Sequence, residues 1–188
     1  MPVDWNAFQE AWHDSGCRTL ADLAAAHPGE RLYAAAFHLF YSDDSQILPP
    51  ALAVNTEAAV HRDNGYSTQF APSEWRWDVL NAAGDPMRPW YRRLSEEFLA
   101  TGTDAERFAA MDALEAAHDA AVAGVCKAMT ATARQGRIHD SLPADFVVVI
   151  LDGQRGDEEA DLIRASVDPQ VLETVPELVA YVREFEET

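Results

Sequence analysis

Three residues of this sequence have the types needed for acid–base chemistry: His38, Tyr41 and Asp152. The first two lie in the run RLYAAAFHLFYS (31–42), and Asp152 ends the run DFVVVILDG (145–153). Both runs predict strands, and active-site groups often occupy the carboxyl ends of parallel strands. A histidine beside a carboxylate and a phenol could serve a hydrolytic reaction. However, Asp-Gly is a common turn, and a histidine in a central strand is usually a core residue with satisfied hydrogen bonds. We expect this second interpretation and keep the hydrolytic site as the alternative.

A second cluster is acidic and follows the same strand, at Asp157, Glu158, Glu159 and Asp161. Carboxylates this close could ligate Ca²⁺, but their order does not match the D-x-[DN]-x-[DN]-G pattern of a calcium loop. A solvated charge run explains them better. The six histidines include no i, i+4 pair, and no GxSxG, Walker or GxGxxG motif occurs. We therefore expect no metal site, no cofactor and no catalytic residue.

The stretch SEWRWDVLNAAGDPMRPWYRRL (73–94) holds three of the five tryptophans and four of the fourteen basic residues. Strict alternation predicts a half-buried strand with Trp75 and Trp77 on one inward face, followed by an amphipathic helix. Periodicity accounts for every tryptophan, so the stretch is mainly core. Arg92 has a glutamate four places further on, whereas Arg88 has none, and the two arginines could meet an acidic partner.

The composition is strongly acidic, with 32 acidic against 14 basic residues and a net charge of -18 over 188 residues. This charge disfavours nucleic-acid phosphates and anionic membrane surfaces. It serves solubility, or it speeds the encounter with a basic protein. The sequence shows no apolar run of the ~18 residues that a membrane span needs and no secretory signal, so we expect a cytoplasmic protein. Cys17 and Cys126 predict buried free thiols.

The order of predicted elements favours an α+β fold in a single domain over 1–188, with 1–28 as a helical N-terminal segment packed on it. We expect a mixed or antiparallel sheet of about four to five strands against several helices. One long helix near 103–135 begins at a capping box of Thr103 and Glu106. The other predictions are helices at 4–13 and 18–27 separated at Ser15-Gly16, a strand at 51–54, a helix at 56–63 capped by Asn55, a strand at 162–167 and a helix at 176–187.

This order of elements resembles the bacterial domain-of-unknown-function 4303 family. The resemblance is carried by YAAAFHLFYS…ALAVNTEAAV, YSTQFAPSEWRW, the helical middle, DFVVVILDG and LIRASVDPQVLE, from about residue 18 to the end. The family has no established activity or catalytic residues to transfer, and some members accompany toxin and immunity systems. The resemblance implies a small intracellular bacterial protein with a binding role.

We expect a non-enzymatic, protein-binding module of immunity or adaptor type, with a basic protein as its partner. Nucleic acid and membranes are not expected partners. The alternative is a small-molecule-binding protein or hydrolase-like enzyme built around His38, Tyr41 and Asp152. The predicted binding residues of the first interpretation are Arg88, Arg92, Asp157, Glu158, Glu159 and Asp161.

Overall fold

The predicted α+β class is confirmed by the computed structural model, in which helices cover both faces of a four-stranded mixed sheet. The longest helix falls at the predicted place and begins at the predicted capping box. The structure describes residues 3–38, 41–42, 46–63, 66–78, 86–100 and 102–186.

The strands of these stretches form one mixed sheet and two short hairpin ladders. In chain order they are β1 (Leu32–His38), β2 (Tyr41–Ser42), β3 (Ile47–Leu48), β4 (Ala51–Thr56), β5 (Arg62–Asp63), β6 (Tyr66–Ser67), β7 (Trp77–Asp78) and β8 (Val147–Ile150). The main sheet has the order β7-β4-β1-β8, with β1 antiparallel to β4 and parallel to β8. The carboxyl ends of β1 and β8 therefore meet at one end of the sheet.

Helices pack on both faces of this sheet. They are α1 (Trp5–Ala26), α2 (Arg88–Leu99), α3 (Asp104–Arg134), α4 (Glu159–Ser166), α5 (Pro169–Leu172) and α6 (Pro176–Glu186). Phe37 and Val148 pack with α1, α2 and α3, whereas Ala36 and Val149 pack with α4 and α6. Strands buried on both faces explain the continuous apolar runs of β1 and β8. No helix in the described stretches is long and apolar enough to cross a membrane.

The N-terminal segment forms one continuous helix, so the predicted separation at Ser15-Gly16 is wrong. Gly16 is buried where α1 packs on α3, and an added Cβ would lie 2.5 Å from Cε of Met129. The glycine therefore allows the two helices to approach closely. This contact outweighs the cost of about 1 kcal/mol that glycine carries in a helix interior.

The predicted helix at 56–63 is also wrong. Strand β4 continues through Asn55 to Thr56, and only a single 3₁₀ turn, Glu57–Ala59, follows it. Asn55 is fully buried; its Nδ2 donates to Oη of Tyr33 at 3.1 Å, and its Oδ1 accepts from the backbone N–H of Thr56 at 3.0 Å. The amide that predicted a helix cap is instead satisfied by its neighbours in the sheet.

The predicted strand at 162–167 is part of helix α4. Ala160, Ile163 and Ser166 are buried at a spacing of three residues, which places them on one helical face. The apolar residues of this short segment fit both the two-residue period of a strand and the 3.6-residue period of a helix. The packing of α4 on the sheet decides in favour of the helix.

The tryptophans of 73–80 do not share a face, which corrects the predicted strand. Within the described part of this stretch the strand is limited to β7, and Pro72–Glu74 forms a 3₁₀ turn. Trp75 packs with α4 and α6 and donates Nε1–H to the carbonyl of Thr68 at 3.0 Å, whereas Trp77 packs on the α1 side. Both nevertheless contribute to the core, as the periodicity indicated.

Strand β8 lies at an edge of the sheet, and side chains cover its outward N–H groups. The three bonds are Val148 N–H to Oγ1 of Thr130 (2.9 Å), Ile150 N–H to Oγ of Ser166 (3.0 Å) and Asp152 N–H to Oε2 of Glu159 (2.8 Å). An edge strand capped in this way offers no free donors for pairing with another chain. The same capping fixes the position of the chain just beyond β8.

Candidate functional site

A small pocket with several ionisable side chains in its lining lies at the carboxyl ends of β1 and β8. His38 is the last residue of β1 and Asp152 follows β8; both line the pocket, together with His118, Asp119 and Arg155. The rest of the lining is apolar, and the volume is about 20 Å³, enough for one water molecule. We call this the sheet-edge pocket.

His38 is the residue of this pocket with an unsatisfied polar atom. Its side chain is buried, with 5% of the residue exposed, and Nε2 has no hydrogen-bond partner among the described residues. Burial lowers the pKa of His38 below its usual value, while the nearby carboxylates of Asp78 and Asp152 act in the opposite direction. The predicted burial is confirmed, and the predicted full hydrogen bonding is wrong at Nε2. A neutral imidazole of this kind can accept one hydrogen bond from a group in the pocket.

Two of the three residues of the predicted hydrolytic cluster meet here. Asp152 is buried beside His38, and its Oδ1 accepts from the backbone N–H of Gln154 at 3.3 Å, which closes a turn. The backbone of Tyr41 lies in β2, but its side chain lies outside the described residues. The structure therefore places a histidine and a carboxylate in one pocket.

A chain of hydrogen bonds connects the core to the pocket. Trp12 Nε1–H donates to Oη of Tyr91 at 3.1 Å, and Tyr91 lies 2.8 Å from Nε2 of His118. Because Tyr91 has its own proton to donate, Nε2 of His118 accepts, and the proton of that imidazole is assigned to Nδ1. Nδ1 in turn faces Oδ1 of Asp119 at 3.4 Å. His118 is thus the satisfied core histidine that its place on the apolar stripe of α3 predicted.

Arg155 connects the loop after β8 to helix α3. Its guanidinium contacts Glu115 at 2.6 Å, Asp119 at 3.1 Å and Glu158 at 2.7 Å, and only 19% of the side chain is exposed. Three carboxylates surround this one cation, and Asp152 also lines the pocket, so the pocket has an excess of negative charge. Burial raises the pKa of Glu115 above its usual value, against the effect of Arg155. Sequence reasoning missed Arg155, although a single arginine within an acidic loop is a signal that could have found it.

Glu159, predicted as an exposed binding residue, is buried. Only 1% of it is exposed, and Oε2 caps the N–H of Asp152 while Oε1 has no partner among the described residues. Burial is the largest influence on the pKa of Glu159 and raises it to about 7. The predicted solvated charge run therefore includes one buried residue, Glu159, which caps the backbone just beyond the edge strand β8.

Four other predicted binding residues, Glu158, Asp161, Arg88 and Arg92, do not form part of the pocket lining. Glu158 is exposed and joins the pocket through Arg155, and Asp161 is exposed with Arg164 3.6 Å away. The side chain of Asp157 lies outside the described residues. Arg88 and Arg92, which are also exposed, lie on α2.

The half-buried thiol of Cys17 lies in a second cluster, and its geometry argues against a nucleophile. Its Sγ is 3.5 Å from Nε2 of His13, but that nitrogen also lies 3.0 Å from Oγ1 of Thr132. Thr132 donates its own proton to the carbonyl of Ala128, so Nε2 must donate to it and cannot accept from the thiol. Burial raises the pKa of Cys17 to about 11 and that of the fully buried Cys126 further. Cys126 is the buried free thiol that was predicted.

No group of three or more His, Cys, Asp or Glu side chains in the described part of the chain is arranged to hold a metal ion. Comparison with protein-family models, curated proteins and solved structures finds no match for the chain. The resemblance to the domain-of-unknown-function 4303 family stays a prediction.

Proposed function

We propose that the protein binds a basic protein partner, and that the sheet-edge pocket receives the ammonium group of one lysine of that partner. One observation carries the proposal: Nε2 of His38 is buried without a hydrogen-bond partner among the described residues, at a pocket where three carboxylates share Arg155. A buried polar atom without a partner costs free energy unless a ligand satisfies it.

The size of the pocket supports a head group rather than a whole substrate. A volume of about 20 Å³ holds one water molecule, and an ammonium group is of similar size. A planar guanidinium is larger, so lysine fits better than arginine. A neutral His38 can accept one N–H of the ammonium, and Asp152 and Asp119 supply the opposite charge. The net charge of -18 adds long-range attraction for a basic surface.

A small probe tests the pocket without knowledge of the partner. Nα-acetyl-L-lysine methylamide is titrated into ¹⁵N-labelled protein, and the imidazole nitrogens are followed by NMR. We expect His38 to shift and the exposed His61 to stay unchanged. The same probe acetylated at Nε, which is neutral, should give no shift. Equal shifts with potassium chloride at matched ionic strength would show that only screening is measured, and would contradict the proposal.

The partner itself is sought with matched variants of the whole protein. A protein is first captured from the native host by the wild type. Its affinity is then measured for the wild type, Asp152→Asn and Asp161→Asn; the two variants remove the same charge from a buried and an exposed site. We expect Asp152→Asn to weaken binding about tenfold or more, as loss of one partner of a buried charged pair does. Asp161→Asn should change it little. Equal losses would assign the attraction to net charge alone and remove the pocket from the proposal.

A second candidate is a small-molecule hydrolase in which His38 acts as general base. The observation that favours it is that His38 and Asp152 share a pocket and that burial keeps the imidazole neutral. A water molecule would be the nucleophile, since no serine or cysteine is among the described residues that line the pocket. Hydrolysis of p-nitrophenyl acetate by the wild type and by His38→Gln tests this. Equal rates in the two proteins would exclude His38 as the base for this ester.

A further inference from the structure

A larger cleft lies at the opposite, amino end of the same two strands. Tyr33 stands near the start of β1 and Val147 begins β8, and both line a cleft of about 330 Å³. Val60, Phe70 and Val175 complete its apolar floor. The volume falls at the lower end of the range of about 300–1,000 Å³ that small-molecule sites occupy. We call this the amino-end cleft.

The charges at the rim are of two kinds. Glu57 and Asp145 are bound by Arg31, at 2.7 and 3.3 Å. Arg62 donates to Oε1 of Gln69 at 2.8 Å and has no carboxylate partner among the described residues. Glu177, at the start of α6, has no ion-pair partner in the same part of the chain. One cation and one anion therefore line the same cleft without neutralising each other.

The aromatic lining of the cleft is held in place by hydrogen bonds and ring packing. Tyr33 donates its O–H to the carbonyl of Gln69 at 2.6 Å and accepts from Nδ2 of Asn55 at 3.1 Å. Burial is the largest influence on the pKa of Tyr33 and raises it to about 12, so the phenol stays neutral. Phe70 packs against the ring of Tyr181, with the ring centroids 5.1 Å apart. The cleft thus offers fixed aromatic surface next to two unpaired charges.

We propose that the amino-end cleft binds a free amino acid with an apolar side chain. The ligand carboxylate pairs with Arg62, the ammonium pairs with Glu177, and the side chain packs on Tyr33 and Phe70. A purely anionic ligand would be repelled by Glu177, and a purely cationic ligand would be repelled by Arg62. A zwitterion can pair its carboxylate with Arg62 and its ammonium with Glu177. A cleft of about 330 Å³ equals the volume of roughly ten liquid waters, which accommodates the nine heavy atoms of leucine.

Calorimetric titration of the whole protein with L-leucine and L-phenylalanine tests this site, and it does not depend on the proposed partner. Leucinamide lacks the carboxylate and N-acetyl-leucine lacks the ammonium, so each should bind the wild type at least tenfold more weakly than leucine. Arg62→Gln should lose the discrimination between leucine and leucinamide. Glu177→Gln should lose the discrimination between leucine and N-acetyl-leucine. Arg137→Gln and Glu173→Gln, which are exposed and outside the cleft, should bind leucine as the wild type does.

Three results would overturn the proposal. The first is the absence of saturable binding of both amino acids at tens of millimolar. The second is equal affinity of the wild type for leucine and for both analogues, which would mean that the charges are not used. The third is tighter binding of leucyl-leucine than of leucine, which would identify a peptide rather than a free amino acid as the ligand. All of the variants change exposed side chains, and circular dichroism checks that each retains the fold.

Discussion

The charged side chains at the two ends of the parallel pair β1 and β8 differ in their exposure to solvent. From Tyr33 to His38 the strand covers about 17 Å. At the carboxyl end the charged groups are packed beneath α3 and leave room for one water molecule; at the amino end they stay exposed around a cleft of about 330 Å³. Charges at the carboxyl end therefore depend on the fold for their partners and contribute to its stability. Charges at the amino end are solvated and are available to a ligand.

The largest expected loss in the free energy of unfolding follows substitution of Arg155. Arg155→Ala leaves Glu115, Asp119 and Glu158 close together without a cation, and the first two are largely shielded from water. Breaking a buried pair costs about 3–5 kcal/mol, and the partial exposure here reduces this to about 2–3 kcal/mol. Urea unfolding at pH 7.5 measures the loss. Arg137→Ala removes an exposed cation that donates to Oε1 of Gln135 at 3.4 Å, and it should cost less than about 0.5 kcal/mol. Similar losses in the two variants would mean that the cluster at the carboxyl end is not coupled to folding.

Glu159 should make stability depend on pH. Its pKa is raised from about 4.5 to about 7, so across that window the unfolded chain releases the proton first and stability falls as the pH rises. Glu159→Gln removes this effect. The advantage of the variant over the wild type should grow by about 2–3 kcal/mol between pH 5 and pH 8, since about two units of the pKa shift lie above pH 5 and each corresponds to about 1.4 kcal/mol. His38 acts in the opposite direction, because its lowered pKa costs stability as the pH falls, but it is present in both proteins and cancels. Urea unfolding at pH 5, 6, 7 and 8 measures the difference, and a difference that does not change with pH would contradict the assignment.

At the amino end, Tyr33→Phe should cost about 1 kcal/mol. The variant removes the acceptor of the fully buried Asn55 amide and the donor to the carbonyl of Gln69. A buried donor left without a partner costs about 1–3 kcal/mol, and the packing of the ring is retained. A double-mutant cycle with Asn55→Ala checks the mechanism by urea unfolding. If the two changes add without coupling, the hydrogen bond between them does not support the wall of the cleft.

Parts of the fold could be predicted because their signals are local. The capping box of Thr103 and Glu106 begins α3, and the β-branched run of β8 specifies its strand. The meeting of His38 with Asp152 could also be predicted, since both follow from the ends of two clear strands. In each case the residues that decide the structure lie within the element itself.

Other features depend on contacts between distant parts of the chain. Gly16 belongs inside a helix because Met129 packs on it, and no local pattern shows this. Arg155 belongs to the pocket because α3 brings Glu115 and Asp119 to the loop after β8. Glu159 is buried because β8 is an edge strand that needs a cap. The charged half of the site could not be predicted, since its positions follow from tertiary packing.

Arg31 gives the smallest expected effect and the sharpest comparison with Arg155. It also binds two carboxylates, those of Glu57 and Asp145, but 47% of its side chain is exposed, and its partners are more exposed still. Water and salt therefore screen these pairs, and Arg31→Ala should cost about 0.5 kcal/mol at low salt and close to zero in 0.5 M sodium chloride. Urea unfolding of both arginine variants at the two salt concentrations measures this. The loss in Arg155→Ala should persist at high salt, because two of the groups it leaves unpaired, Glu115 and Asp119, are largely buried. If the two losses were equal and equally sensitive to salt, burial would not distinguish the two ends of the strand pair, and the assignment of a larger contribution to stability to the charges at the carboxyl end would fail.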